Sequence, residues 1–161
     1  MRRIIFVPVF VFLFFLMEFI LFNMVGRWFM PNLLLLLIMY FNFSFGIRYS
    51  IFAAVLAGVF KDCFGAEVFG LNIFVFVLCV YLTTLLKKYL HYGLSHQSRI
   101  LLVFVVTSVH YAIHLFSKVM GGGVHIGRSV QFVFIPEILT TLIVASFVFN
   151  QLRKCALKLF A

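Results

Sequence analysis

Residues 4–22 read IIFVPVFVFLFFLMEFILF, nineteen positions with a single ionisable side chain, Glu18, directly behind Arg2 and Arg3. The run has the outline of a signal peptide but exceeds an ordinary h-region, and Phe22-Asn23-Met24-Val25-Gly26 offers no small-residue cleavage site. It reads as an uncleaved first membrane span, and the rest of the chain repeats its character. With five further apolar segments, the spans fall at about 4–22, 31–46, 48–61, 71–86, 100–116 and 130–149, in a single transmembrane domain. Between them stand Gly26-Arg27 with Pro31, Gly46 with Arg48, Lys61-Asp62 with Gly65 and Gly70, the basic stretch from Lys87 to Arg99, and Gly121-Gly122-Gly123 with Arg128.

Composition supports the same class. The 161 residues are 65% hydrophobic and 11% charged, where a soluble domain carries about 25% charged residues. So few charges cannot cover a surface in water, which excludes a soluble enzyme, a secreted disulfide scaffold and a disordered tail, and leaves an all-α bundle in lipid. Cys63, Cys79 and Cys155 are odd in number and form no CxxC or zinc spacing. The 24 phenylalanines run through every apolar segment without a period, as lipid-facing and packing side chains do.

The second and third segments are short for spans of about 20 residues. They read either as two spans through thinned or protein-covered bilayer or as one bent span. Charge decides between these. The net charge is +9, and basic residues gather on the cytoplasmic side and near anionic lipid, which accounts for them without nucleic acid. With six spans the cytoplasmic side holds Arg2, Arg3, Arg48, Lys87, Lys88, Arg99, Arg153, Lys154 and Lys158, against Arg27, Lys61, Lys118 and Arg128 outside. Five spans would invert that bias. Both termini are therefore expected in the cytoplasm.

An ionisable side chain within a span costs about 2.5–3.5 kcal/mol even on lenient scales, so it should face protein or water. Glu18 is then either a carboxyl reaching headgroups or a bundle contact, with Arg27 or Arg48 as candidate partners. His110 and His114, at i and i+4 in the fifth span, point the same way. HxxxH without a third ligand is a weak metal signal, and polar packing between helices is the expected role. Glu137, after Pro136, is either a carboxylate near a helix start or a partner of one of these histidines. No nucleophile has a neighbouring base, and Asp62 and Glu67 flank Gly65 in a loop rather than sharing a helix face. No catalysis, cofactor or metal is expected.

One stretch is more specific. Pro31-Asn32 followed by Leu33–Leu37, then Gly58-Val59-Phe60-Lys61-Asp62-Cys63-Phe64-Gly65 running through Phe69-Gly70-Leu71-Asn72, with Glu18 late in the first span, resembles the MreD family of rod-shape-determining membrane proteins. Lys61 beside the aspartate and the Phe-rich spans depart from that family's pattern. The resemblance implies a six-helix bundle similar to the substrate-binding S components of vitamin transporters. It also implies a non-enzymatic scaffold in the bacterial cytoplasmic (inner) membrane, within the cell-wall elongation machinery. Its implied partners are an MreC-like periplasmic protein, a RodA-type glycosyltransferase with its transpeptidase and, indirectly, MreB filaments. By position, Glu18, Pro31, Asn32, Asp62, Gly65 and Gly70 carry the likeness.

The alternative is an S component proper, for which Ala53-Ala54 and Ala57-Gly58 would be the small-residue docking face. The loop from Lys61 to Gly70, holding Asp62 and Glu67, is expected at the outer mouth of the bundle as part of the partner surface, with Glu18 and Asn32 beside it. Asp62 there either accepts N–H groups of the turn or pairs with Lys61 or with a basic partner segment.

Overall fold

Five consecutive leucines, Leu33–Leu37, leave a helix no polar face, and a helix that is apolar all round belongs inside a protein. The computed structural model, which describes residues 2–25, 31–64, 69–89, 96–120 and 135–160, places it there. Helix α2 (Leu33–Phe45) is buried at every position from Leu33 to Asn42. Around it pack α1 (Arg2–Val25), α3 (Ile47–Phe64), α4 (Leu71–Tyr89), α5 (His96–Met120) and α6 (Ile135–Phe160), each of them touching it. The described residues are 96% helical, and none of them lies in a strand.

The shortness of α2 follows from that position. At about 1.5 Å per residue its thirteen residues span about 20 Å, less than a bilayer core, yet its flanks meet protein instead of lipid. The α1, α4 and α5 segments Phe6–Met24, Leu71–Tyr89 and Ser98–Met120 are long and apolar enough to cross a membrane alone. Their outward faces carry large apolar side chains, among them Phe12, Leu16 and Ile20 on α1, Phe74 and Leu85 on α4, and Leu101 and Phe104 on α5. Polar side chains such as Glu18, Asn32, Asp62 and His110 are buried instead. Apolar outside and polar within is the arrangement lipid favours, and the chain is a multi-pass, all-α membrane protein.

Between α2 and α3 stands one residue, Gly46, at φ +87°. Beyond its chain neighbours no atom lies within 4 Å of where its Cβ would be, so glycine is required there by conformation and not by crowding. The chain reverses at this point. Ser50 Oγ donates to Ile38 O at 2.9 Å, and Lys61, late in α3, reaches Asn32 at the start of α2. The two short apolar runs are thus separate antiparallel helices and not one bent segment. Next, α3 meets α4 at very close range: a Cβ on Gly58 would lie 2.5 Å from Ile73 Cα, and Ala53, Ala54 and Ala57 beside it are fully buried. Small side chains let two backbones approach where the solvent provides no hydrophobic drive.

The helices outrun the expected spans at most ends. The last begins at Ile135 and continues to Phe160, beyond the expected stop at Phe149, because backbone hydrogen bonding does not end where hydropathy does. Residues 130–134 of that expected span lie outside the described residues. The second helix is shorter than expected because Asn32 caps it instead of joining it.

Candidate functional site

A helix that starts inside a protein leaves its first N–H groups without intrahelical partners, and α2 disposes of each one. Leu33 N–H donates to Pro31 O at 2.9 Å, Leu35 N–H to Asn32 Oδ1 at 3.1 Å and Leu36 N–H to Asn32 O at 3.2 Å. Leu34 N–H donates to Glu18 Oε2 of α1 at 3.1 Å. The other carboxylate oxygen, Oε1, lies 2.9 Å from Lys61 Nζ of α3. Glu18 is therefore a bundle contact 3% exposed, held by a cation and by the positive end of a helix. Its counter-ion is Lys61. The candidates named from sequence are not: Arg48 is exposed at the start of α3, the end of the bundle away from Glu18, and Arg27 lies outside the described residues.

Asn32 carries the network onward. Its Oδ1 also accepts from Lys61 Nζ at 3.3 Å, its backbone N–H donates to Thr141 Oγ1 of α6 at 3.2 Å, and its Nδ2 stands 3.0 Å from His110 Nε2 of α5. The His110 ring stacks on Phe76 of α4 at 5.4 Å and 13°, and Lys61 Nζ lies 5.5 Å from the centroid of that same phenyl ring. His114 sits beside His110, with ring centroids 4.7 Å apart, and both histidines are buried. All six helices meet here.

The beginning of α4 repeats the device. Asp62 Oδ2 accepts from Gly70 N–H at 2.9 Å and Ile73 N–H at 3.4 Å, while Oδ1 accepts from Asn72 N–H at 3.1 Å and Asn72 Nδ2 at 2.8 Å. Of the two roles expected for Asp62, the structure assigns the turn and helix cap: with four donors on it and 6% exposure, the carboxylate faces inward, and Lys61 beside it turns to Glu18. Gly70, at φ +95°, makes the turn that brings the N–H groups round. Two of the chain's four carboxylates thus cap, from a neighbouring helix, the N-termini of α2 and α4.

Of the other residues singled out from sequence, Glu137 lies half-buried in the first turn of α6, and Gly65 and Glu67 fall outside the described residues. No group of three His, Cys, Asp or Glu side chains placed to hold a metal occurs among the described residues. Nothing in the sequence marks Lys61, Phe76 or Thr141 as a member of the network. Lys61 reads there as a loop cation and a candidate partner of Asp62, and Thr141 and Phe76 carry no motif at all, since their part comes from where α6 and α4 pass Asn32.

Glu18, Pro31, Asn32, Asp62 and Gly70 at this end of the bundle are among the residues that carry the family likeness, and the family comparison agrees: the model of the rod shape-determining protein MreD matches residues 1–155. The chain belongs to the MreD family. Its role is accordingly in rod shape determination. A search of curated proteins and a search of solved structures each find no match. In this MreD chain, Glu18, Pro31, Asn32, Asp62 and Gly70 are brought to one end of the bundle, where two helices begin.

Proposed function

We propose that the chain is a non-enzymatic scaffold in the bacterial cytoplasmic membrane that holds an MreC-like periplasmic protein next to a RodA-type glycosyltransferase and its transpeptidase, and through them acts on MreB filaments. The carrying observation is that both buried carboxylates at this end are engaged by the bundle itself. Glu18 is held by Lys61 and Leu34 N–H, and Asp62 by four donors. Such a network makes a rigid end, which suits docking. Glu18, Asn32 and Asp62 act on the partner surface from inside, by fixing the ends of α1, α2, α3 and α4, and the connection holding Gly65, Glu67 and Gly70 supplies contact. The transporter reading is less well supported, because the small residues of α3 that would form a docking face are buried against neighbouring helices.

The network end faces the periplasm in this proposal. The opposite end carries the starts of α1 and α3 and the ends of α4 and α6, with Arg2, Arg3, Arg48, Lys87, Lys88, Arg153, Lys154 and Lys158. Such a collection suits the cytoplasmic face and anionic lipid. There Lys87 Nζ donates to Asn42 O and Phe43 O, both at 3.3 Å, and closes the C-terminus of α2. In intact cells, an impermeant thiol reagent should label a cysteine placed at Gly122 and miss one placed at Ala161; the reverse pattern refutes the orientation. In cells whose rod shape depends on this chain, the tagged protein should recover an MreC-like protein from detergent extracts. Restored shape with no such protein recovered refutes the scaffold, and recovery of an ATPase pair with solute uptake favours the transporter reading.

A further inference from the structure

The hydrogen bonds around Asn32 fix the protonation of a neighbour. Leu35 N–H and Lys61 Nζ both donate to one side of the Asn32 amide; since neither can accept, that side is the carbonyl oxygen. The other side is then the NH2, and at 3.0 Å from His110 Nε2 it donates. Nε2 is therefore the bare nitrogen of the ring, and its proton sits on Nδ1. A second proton on Nε2 would set two N–H groups face to face.

That Nδ1–H is buried and has no acceptor among the described residues. Thr107, one turn earlier on the same face of α5, is fully buried, and its hydroxyl likewise has no partner among them. Four other hydroxyls in these helices bond back to the carbonyl four residues before, Thr83 to Cys79, Thr84 to Val80, Ser108 to Phe104 and Thr140 to Pro136, and Ser50 reaches Ile38 O of the neighbouring helix. Thr107 does not follow them. Phe76 covers one face of the His110 ring, while Tyr111 meets it edge-on and His114 lies beside it, so the surroundings offer mainly aromatic carbon. A strong donor and a hydroxyl, adjacent and buried, need a small group that accepts from one and bonds the other.

We propose that a resident water molecule occupies this place, accepting from His110 Nδ1–H and donating to Thr107 Oγ1. Thr107 is then a positioning residue: through the water it holds the imidazole edge that lets Nε2 receive Asn32, and so ties α5 to the cap of α2.

The test is solid-state NMR of the full chain in lipid nanodiscs with 15N-labelled histidine. The expected spectrum shows His110 with Nδ1 protonated and Nε2 bare, and its Hδ1 receiving magnetisation from water. Thr107→Val should shift the Hδ1 resonance and reduce the water transfer at least twofold, while Thr107→Ser leaves both near wild type. A proton on Nε2 overturns the assignment of the Asn32 amide, and with it the proposal. Transfer to Hδ1 from a protein group with none from water overturns the water. The tautomer and the water transfer are read on the unmodified chain and so decide the water even if Thr107→Val does not fold; unchanged transfer in a folded Thr107→Val chain, or transfer lost in Thr107→Ser, overturns the role of Thr107.

Discussion

Removing the two halves of the Glu18–Lys61 pair should have unequal effects. Lys61→Met leaves a carboxylate whose side chain is 4% exposed facing one N–H group, Leu34, and an uncompensated buried charge costs about 3–5 kcal/mol. Glu18→Gln leaves an amide oxygen able to accept from Leu34 N–H, and a lysine that is 26% exposed and still bonded to Asn32 Oδ1. A partly solvated cation loses about 0–1 kcal/mol when its partner is neutralised. The double variant removes both charges and should stand within about 1 kcal/mol of wild type, since neutral replacements of buried pairs are often tolerated. The predicted coupling is thus about 2–6 kcal/mol, at or above the top of the range for residues in contact. Thermal unfolding of the purified protein in micelles measures it: at roughly 2–4 °C per kcal/mol for a chain of this size, Lys61→Met should melt about 6–20 °C lower and the double variant should regain most of the loss. Equal losses from the two single variants, adding in the double, would mean that Glu18 and Lys61 do not act as a pair and would refute the account of the network.

Asp62→Asn should lower the amount of protein in the membrane, because an amide presents N–H groups to donors that now share two carboxylate oxygens; the loss is about 0.5–2 kcal/mol, that of a helix cap. Faster hydrogen exchange at Gly70, Asn72 and Ile73 checks it, and normal levels with a weakened partner complex would instead make the carboxylate itself an interface group. Gly58→Ala should cost about 1–3 kcal/mol in thermal stability, because the new methyl meets the backbone of Ile73. For the same reason, trimming the Ile73 side chain should not restore it.

Fold class was legible because membrane composition is a property of whole segments, and segments of nineteen apolar residues admit few structures. What sequence could not show was the environment of each segment. Neither Leu33–Leu37 nor Phe10–Phe15 holds a polar residue, yet α2 is the buried axis of the bundle and α1 a peripheral helix packed on α2 and α3. Hydropathy treats lipid and protein interior alike, so it identifies spans without ranking them from centre to rim. It also places helix ends badly: α6 continues through Arg153 and Lys154, since leaving the bilayer does not break a hydrogen-bond ladder.

For the polar network, residue types were legible and partners were not. Glu18, His110 and His114 stood out because ionisable groups in apolar runs demand explanation, and Asn32, Asp62 and Gly70 because they punctuate helix starts. Their connection depends on α2 and α3 reversing at Gly46, which carries Lys61 back to Asn32 and across to Glu18. The residue that departs from the family's pattern is therefore the counter-ion of one that matches it. A lysine beside an aspartate in sequence suggests a local pair, but neighbours on a helix are about 100° apart, so Lys61 and Asp62 point to different helices. One reaches Glu18 of α1, the other the N-terminus of α4. That divergence lets a single turn of α3 tie α1 and α2 on one side to α4 on the other, and it is why substitution at Lys61 should be felt at Glu18 while substitution at Asp62 should be felt at Asn72.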